Sequence, residues 1–266
     1  MRQGVLPPFV RATEWIAGHW FDGILAPTEQ IVRRFPPRKT HLIRNFPILS
    51  ELIPPAQRDY ADRPKQFAYV GGLTENRNID GMMDGVAKLE DPDARLRLAG
   101  TFFPPSLEER ILSKPEWERV IWDGWVSRQE VASLLGDARA GLVLLRPIEH
   151  EMLTLPIKMF EYMAAGLPVI SSDFPLWRDI IEKAECGLLV DPMDVSAIAG
   201  AMQWILDHPD EAERMGQRGR AAIEEHYSWE AESRTLLSMT RTLLGEPGDG
   251  AHPKTPDAPE SLVETP

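Results

Sequence analysis

Lys158 and Glu161 stand three residues apart in LTLPIKMFEYMAAGLPVI (residues 153–170), between an apolar loop and an apolar strand. On a helix that spacing puts both side chains on one face, one turn apart. Pro156 suits the first turn of such a helix, Gly166 the left-handed position past its end, and Pro168 the stop beyond it. Lys158 then falls in the first turn, where the helix dipole disfavours a cation unless an anion is present too. Two chemistries fit: a solvated i, i+3 ion pair worth roughly 0.2–0.5 kcal/mol, or two groups that face one ligand with an anionic portion.

A second stretch of the same design is FAYVGGLTENRNIDG (residues 67–81), in which Val70 runs into Gly71 and Gly72 and a helix is expected from about Asn78. A strand, a glycine turn and a helix N-terminus together make an anion site, because glycine lets backbone N–H groups approach and the dipole favours negative charge. Arg77, in or just before the first helical turn, would add a fixed charge and a planar fork suited to phosphate oxygens. A Gly-Gly pair after a strand also serves as a plain turn, so the spacing alone leaves both readings open. Glu149, His150 and Glu151 form a further polar cluster on a loop at a strand end. Adjacent residues do not readily converge on one ion, so no metal site is expected there.

These groups need elements to position them. From Lys65 to about Val190, short β-rich runs alternate with helix-length amphipathic stretches. That is the pattern of an α/β fold, a doubly wound parallel sheet covered on both faces by helices. Strands are expected at 66–70, 95–99, 119–122, 141–145, 167–171 and 187–190, and helices at 79–89, 106–113, 128–135, 156–165 and 176–183. Ligands then belong at the C-terminal strand ends. Ahead of this lies a smaller β-α-β pattern: a helix with Phe9, Ala12, Ile16 and Trp20 at helical spacing, a strand at 23–26, a helix opening at Thr28 and a strand at 41–44. It is too small to bury a core of its own and must borrow a partner or pack on the larger domain. Residues 46–64, with Pro47, Pro54, Pro55 and Pro64, read as a linker. Three helices close the chain, at 195–206, 210–226 and 229–244, the last with Leu236, Leu237, Leu243 and Leu244 in need of cover. The Pro-, Gly- and acid-rich residues 245–266 read as a disordered tail.

Composition excludes several classes. The net charge of −12 over 266 residues argues against a nucleic-acid surface, so any basic site must be local. The single cysteine, Cys186, permits neither an internal disulfide nor a cysteine zinc cluster, and reads as a small buried apolar residue. No apolar run reaches the roughly 18 residues of a spanning helix, and the N-terminus lacks a signal peptide's apolar core. The expected location is cytoplasmic, with peripheral membrane association compatible.

Four motifs in order, VGGL (70–73), DGWVSRQEVASLL (123–135), PIKMFEYMAAGLPVI (156–170) and GLLVDP (187–192), resemble the nucleotide-sugar-binding half of GT-B-fold glycosyltransferases of the group 1, or family 4, type. The resemblance covers about residues 42–244. It implies a donor domain at 65–227 with Rossmann-like architecture, a crossover C-terminal helix at 228–244, and at 1–45 only the last elements of an N-terminal, acceptor-binding domain. It implies that Glu161 bonds the donor ribose, that Arg77 and Lys158 face the diphosphate and stabilise the leaving group, and that the Gly71–Gly72 turn approaches it. By the same resemblance Gly124, Trp125 and Val126 hold the base, largely through backbone groups, although Trp125 fits plain core equally well, and Leu155 and Pro156 border the donor site. Two departures stand out. Leu153 occupies the position of a sugar-contacting glutamate, so that Glu149, His150 or Glu151 would have to take over, and Gly72 stands where many relatives carry arginine.

The implied reaction moves a sugar from a nucleotide-diphosphate donor to the hydroxyl of a glycan, lipid or small-molecule acceptor, with retained configuration and without metal or other cofactor. The missing acceptor half keeps two alternatives open: a non-catalytic nucleotide-sugar-binding fragment, or one half of a split enzyme completed by an N-terminal partner chain; the protein partners expected are that chain or further copies in a homo-oligomer. A sugar-nucleotide epimerase of the same architecture is a third.

Overall fold

The computed structural model describes residues 8–53 and 58–245. They fall into two compact units, one reaching to Phe46 and resuming at Ser228, the other spanning Pro47–Tyr227. The tail expected to be disordered lies, beyond Gly245, outside the described residues.

In the smaller unit the chain runs through helix α1 (Pro8–Trp20), strand β1 (Ile24–Ala26), the single-turn helix α2 (Glu29–Val32) and strand β2 (Thr40–Leu42). Thr28 caps α2, its Oγ1 accepting the Ile31 N–H. The two strands pair in parallel, Ile24 opposite Thr40 and Ala26 opposite Leu42. The apolar face foreseen on α1 is exposed, with Phe9 at 71%, Ile16 at 47% and Trp20 at 84%.

The larger unit alternates strand and helix throughout: β3 (Gln66–Val70), α3 (Ile79–Ala87), β4 (Arg95–Ala99), α4 (Pro105–Leu112), β5 (Val120–Trp122), α5 (Arg128–Asp137), β6 (Ala140–Val143), α6 (Glu149–Met152), α7 (Ile157–Ala164), β7 (Val169–Ser172), α8 (Pro175–Ala184), β8 (Gly187–Val190), α9 (Val195–Asp207) and α10 (Pro209–His226). All six strands are parallel, in the order β5-β4-β3-β6-β7-β8. This is the doubly wound order, and the strand sequence reverses between β3 and β6, where a crevice opens beyond the strand ends. Strands buried on both faces are apolar at nearly every position, as Phe67, Ala68 and Tyr69 of β3 and Ala140, Leu142 and Val143 of β6 show. Helix α11 (Trp229–Leu243) then returns to the smaller unit, where buried Glu232 accepts the Arg44 backbone N–H at 3.1 Å. Its Leu237 and Leu243, with Leu244 just beyond, are exposed.

Strand ends differ from expectation for local reasons. Leu144 and Leu145 are buried but leave the ladder, and the Leu145 carbonyl accepts the Ser172 hydroxyl instead. Leu167 closes α7 by donating to the Tyr162 carbonyl, with Gly166 left-handed at φ 70, so β7 starts after Pro168. Pro156 stands at the N-cap position just outside α7, without a side-chain capping bond, rather than opening its first turn. Within the stretch expected to be linker, Tyr60 is buried and donates its hydroxyl to the Arg139 carbonyl, while the Arg139 guanidinium reaches back to the carbonyls of Ala61 and Arg63. Cys186 is buried as expected, and burial pushes its thiol up to about 12.

One contact joins α7 to the main sheet at the crevice. A Cβ on Gly141 would lie 2.2 Å from the Tyr162 ring, so glycine alone lets that ring lie against β6. The Tyr162 Oη then accepts the Val70 N–H at 2.9 Å, at the last residue of β3. Tyr162→Phe should leave that N–H without its partner and lower stability by about 1–2 kcal/mol, read as a lower midpoint in urea denaturation. An unchanged midpoint would contradict this role for the bond.

Candidate functional site

Three strand ends turn on glycines with positive φ: Gly71 (133) after β3, Gly100 (146) after β4 and Gly124 (67) after β5. They nest against one another. The Gly71 N–H donates to the Ala99 carbonyl at 2.9 Å and the Gly100 N–H to the Gly124 carbonyl at 2.6 Å. A Cβ on Gly100 would lie 1.9 Å from the Gly71 carbonyl oxygen, so no other residue permits this approach. A Cβ on Gly72 would meet nothing within 4 Å. The glycine there is not a steric necessity; it leaves open the space that an arginine would fill.

Lys158, in the first turn of α7, reaches over this platform. Its Cε lies 3.5 Å from where a Cβ of Gly71 would stand, and its Nζ 5.3 Å from the centroid of the Tyr69 ring, in cation–π range. Among the described residues it forms no ion pair within 4 Å. The i, i+3 pair with Glu161, one of the two readings of the spacing, is therefore not formed. Burial, with the positive charge of Arg77 adding to it, lowers the ammonium pKa to about 8 against the pull of Glu161 and Glu151. A cation held partly out of water with no counter-ion is costly, and an entering anion would relieve that cost.

Arg77 sits on a 3₁₀ turn, Glu75–Arg77, rather than in the first turn of α3. Asn78 comes next, in the left-handed conformation at φ 53, and α3 starts at Ile79. The buried Asn78 donates its amide to the Pro192 carbonyl at 2.6 Å, which ties this turn to the GLLVDP stretch. Arg146, leaving the end of β6, donates its backbone N–H to Asn76 and pairs with Glu75 at 3.3 Å, and Arg110 pairs with Glu75 and Asp80. Held so, Arg77 meets Glu151 at 3.4 Å.

Glu161 pairs with Arg128, whose Nη1 donates to Oε1 at 2.6 Å. Arg128 opens α5 behind a capping box of Ser127 and Glu130. The box is legible in SRQE; that Arg128 spans to Glu161 is not, since no local spacing encodes a contact 33 residues away. Trp125 is 78% exposed, which removes the core alternative, and with Val126, Arg97 and Asp123 it lines a shallow groove. Glu149 and His150 are exposed on α6, a single turn where a loop is expected, and only Glu151 of the three reaches the cluster. Leu153, at the end of α6, is 42% exposed. Leu155 is half-buried and Pro156 buried, and the loop carrying them is pinned by the buried Trp177, whose indole donates to the Thr154 carbonyl at 2.8 Å. Thus Gly71, Arg77, Glu151 and Lys158 come together at the switch between β3 and β6, with Glu161 one turn further along α7. Among the described residues no helix is long and apolar enough to cross a membrane.

The chain is 27% identical over 166 residues to the MMP alpha-(1->4)-mannosyltransferase of Mycolicibacterium hassiacum, covering 61% of this chain and 39% of that protein. It is 25% identical over 185 residues to the alpha-D-kanosaminyltransferase of Streptomyces kanamyceticus, covering 68% and 46%. The chain thus spans less than half the length of these curated relatives. Among solved structures, sucrose-phosphate synthase from Thermosynechococcus elongatus superposes with a TM-score of 0.71 at 24% identity, covering 92% of this chain and 64% of that one. HepE of Anabaena, crystallised with UDP, gives 0.70 at 12% identity, covering 89% and 67%. At these identities the superpositions show the fold. The family model described as glycosyl transferases group 1 matches residues 55–222, well over half of the sequence, and the chain belongs to that family.

Proposed function

We propose that this chain binds a nucleoside-diphosphate sugar at the end of β3 and, together with an acceptor-binding half, transfers the sugar to an acceptor hydroxyl. The observation that carries this reading is the unpaired, partly buried Lys158 ammonium seated over the Gly71 turn. Departure of the diphosphate builds negative charge, and Lys158, Arg77 and the uncapped start of α7 would stabilise it. Glu161, whose Oε2 has no hydrogen-bond partner among the described residues, would accept from the ribose. Backbone groups at Gly124 and Val126 would face the base. Retention of configuration and independence of metal belong to the same proposal. The complexes of HepE with UDP and UDP-glucose support a nucleotide sugar as the ligand class.

A second reading concerns completeness. Phe9, Trp15, Ile16, Trp20 and Phe21 of the smaller unit are all exposed, and large apolar side chains gathered at a surface mark an interaction site. The curated relatives are more than twice as long as the matched stretch. We therefore assign this surface to contact with further polypeptide of the acceptor half. Sugar transfer should appear only when that half is supplied; full turnover by the purified 266-residue chain would overturn this.

Lys158→Ala and Arg77→Ala should each weaken nucleoside-diphosphate binding about ten- to a hundred-fold, the range for a hydrogen bond to a charged group, in isothermal titration calorimetry. Unchanged affinity in both variants would sink the assignment. The pH dependence stems from Lys158, whose pKa is about 8 in the ligand-free protein. A bound diphosphate favours the charged ammonium and raises that value, so above about pH 8 binding must take up a proton and affinity falls as the pH rises. Lys158→Arg, charged throughout, should flatten the profile; an equally steep decline in that variant would assign the titration to another group.

A further inference from the structure

Arg128 belongs to no part of the donor site as proposed above, yet it holds the one carboxylate that this reading gives to the ribose. The Glu161 side chain is only 13% exposed, and its Oε1 is taken by Arg128 Nη1 at 2.6 Å. On its other edge Arg128 is itself held, Nε donating to Glu51 Oε2 at 3.2 Å. Glu51 lies on a 3₁₀ turn, Leu49–Glu51, near the start of the larger unit. The guanidinium is therefore gripped between two carboxylates, and its backbone is fixed by the Ser127–Glu130 capping box at the start of α5. A planar fork held at both edges has little freedom to rotate, so the carboxylate it bonds is fixed too.

We infer that Arg128 is a positioning residue for ribose recognition: it occupies one oxygen of Glu161 and thereby aims the other, Oε2, at a ribose hydroxyl. The inference rests on the donor-site reading. It implies that Arg128 touches no part of the ligand and acts only on that fraction of affinity which depends on the ribose hydroxyls. A lysine would keep the charge but, lacking the planar fork, would fix the direction of the Glu161 carboxylate less firmly.

The experiment compares, by calorimetry, the tightest-binding common ribonucleoside diphosphate with its 2′,3′-dideoxy analogue. The wild-type chain should prefer the ribonucleotide at least ten-fold, and Glu161→Gln should bring that preference close to one. Arg128→Ala should reduce the preference several-fold while leaving dideoxy affinity within two-fold of wild type, and Arg128→Lys should restore part of it. In the double variant Arg128→Ala/Glu161→Gln no further loss should appear beyond that of Glu161→Gln. Arg128 is half exposed, so the variants should fold, and an unchanged circular dichroism spectrum checks it. Equal weakening of both ligands by Arg128→Ala, or an unchanged preference, would overturn the inference and leave the donor site standing. A wild-type chain without ribose preference would remove Glu161 from ribose recognition and the inference with it. A chain that binds no nucleoside diphosphate at all would overturn the donor-site reading itself.

Discussion

The hydrogen bond from the Val70 N–H to the Tyr162 hydroxyl is the constraint on which the crevice depends. Val70 is where β3 ends and the glycine turn begins; Tyr162 lies on the face of α7 that meets the sheet, one turn after Lys158. Fixing these two points fixes where the ammonium stands relative to Gly71. The bond itself depends on Gly141, because any side chain there would drive the tyrosine ring off β6. Tyr162 is fully buried, and burial raises its pKa well above the ordinary phenol value, so it stays neutral and costs the interior no charge. A small residue in a central strand, an aromatic ring in a helix and a backbone donor at a strand end thus cooperate to present one lysine.

The division of charge depends on this placement. Lys158 and Glu161 share a helix face and would neutralise each other if nothing intervened. Arg128 takes Glu161, and among the described residues no carboxylate lies within ion-pair distance of Lys158. Arg77 is balanced by Glu151 at 3.4 Å, longer and weaker than the 2.6 Å bond at Glu161, so it can be recruited by a stronger anion at smaller cost. Its turn is braced by Arg146, Arg110 and Lys114 around Glu75 and Asp80. The acidic chain, with its net charge of −12, keeps this positive patch local.

Much of the fold could be read from sequence because strands buried on both faces are apolar runs and their helices are amphipathic, and both signals are local. Gly71, Arg77, Lys158 and Glu151 converge because all four sit at C-terminal strand ends or just beyond, where an open α/β sheet gathers its loops. What escaped depends on contacts distant in sequence. Nothing in EHEM distinguishes a single helical turn from a loop, since four polar or flexible residues carry no periodicity. The left-handed Asn78 depends on its amide reaching Pro192, and the Glu161 partner on Arg128 33 residues earlier. Trp125 looks like core by type and is exposed by position, because it leaves the Gly124 turn outward. In the smaller unit, α1 has the spacing of a buried helix but an exposed apolar face, so there periodicity marks the helix and not its burial.

The central claim is that the nucleoside diphosphate lies on the Gly71 turn beneath Lys158. A crystal structure of the chain soaked with a nucleoside diphosphate tests it most directly. The distal phosphate is expected within hydrogen-bond distance of Lys158 Nζ and of the backbone N–H groups at the Gly71–Gly72 turn, with the ribose against Glu161 Oε2. Density for the ligand anywhere other than the β3–β6 crevice, or a ribose out of reach of Glu161, would contradict it.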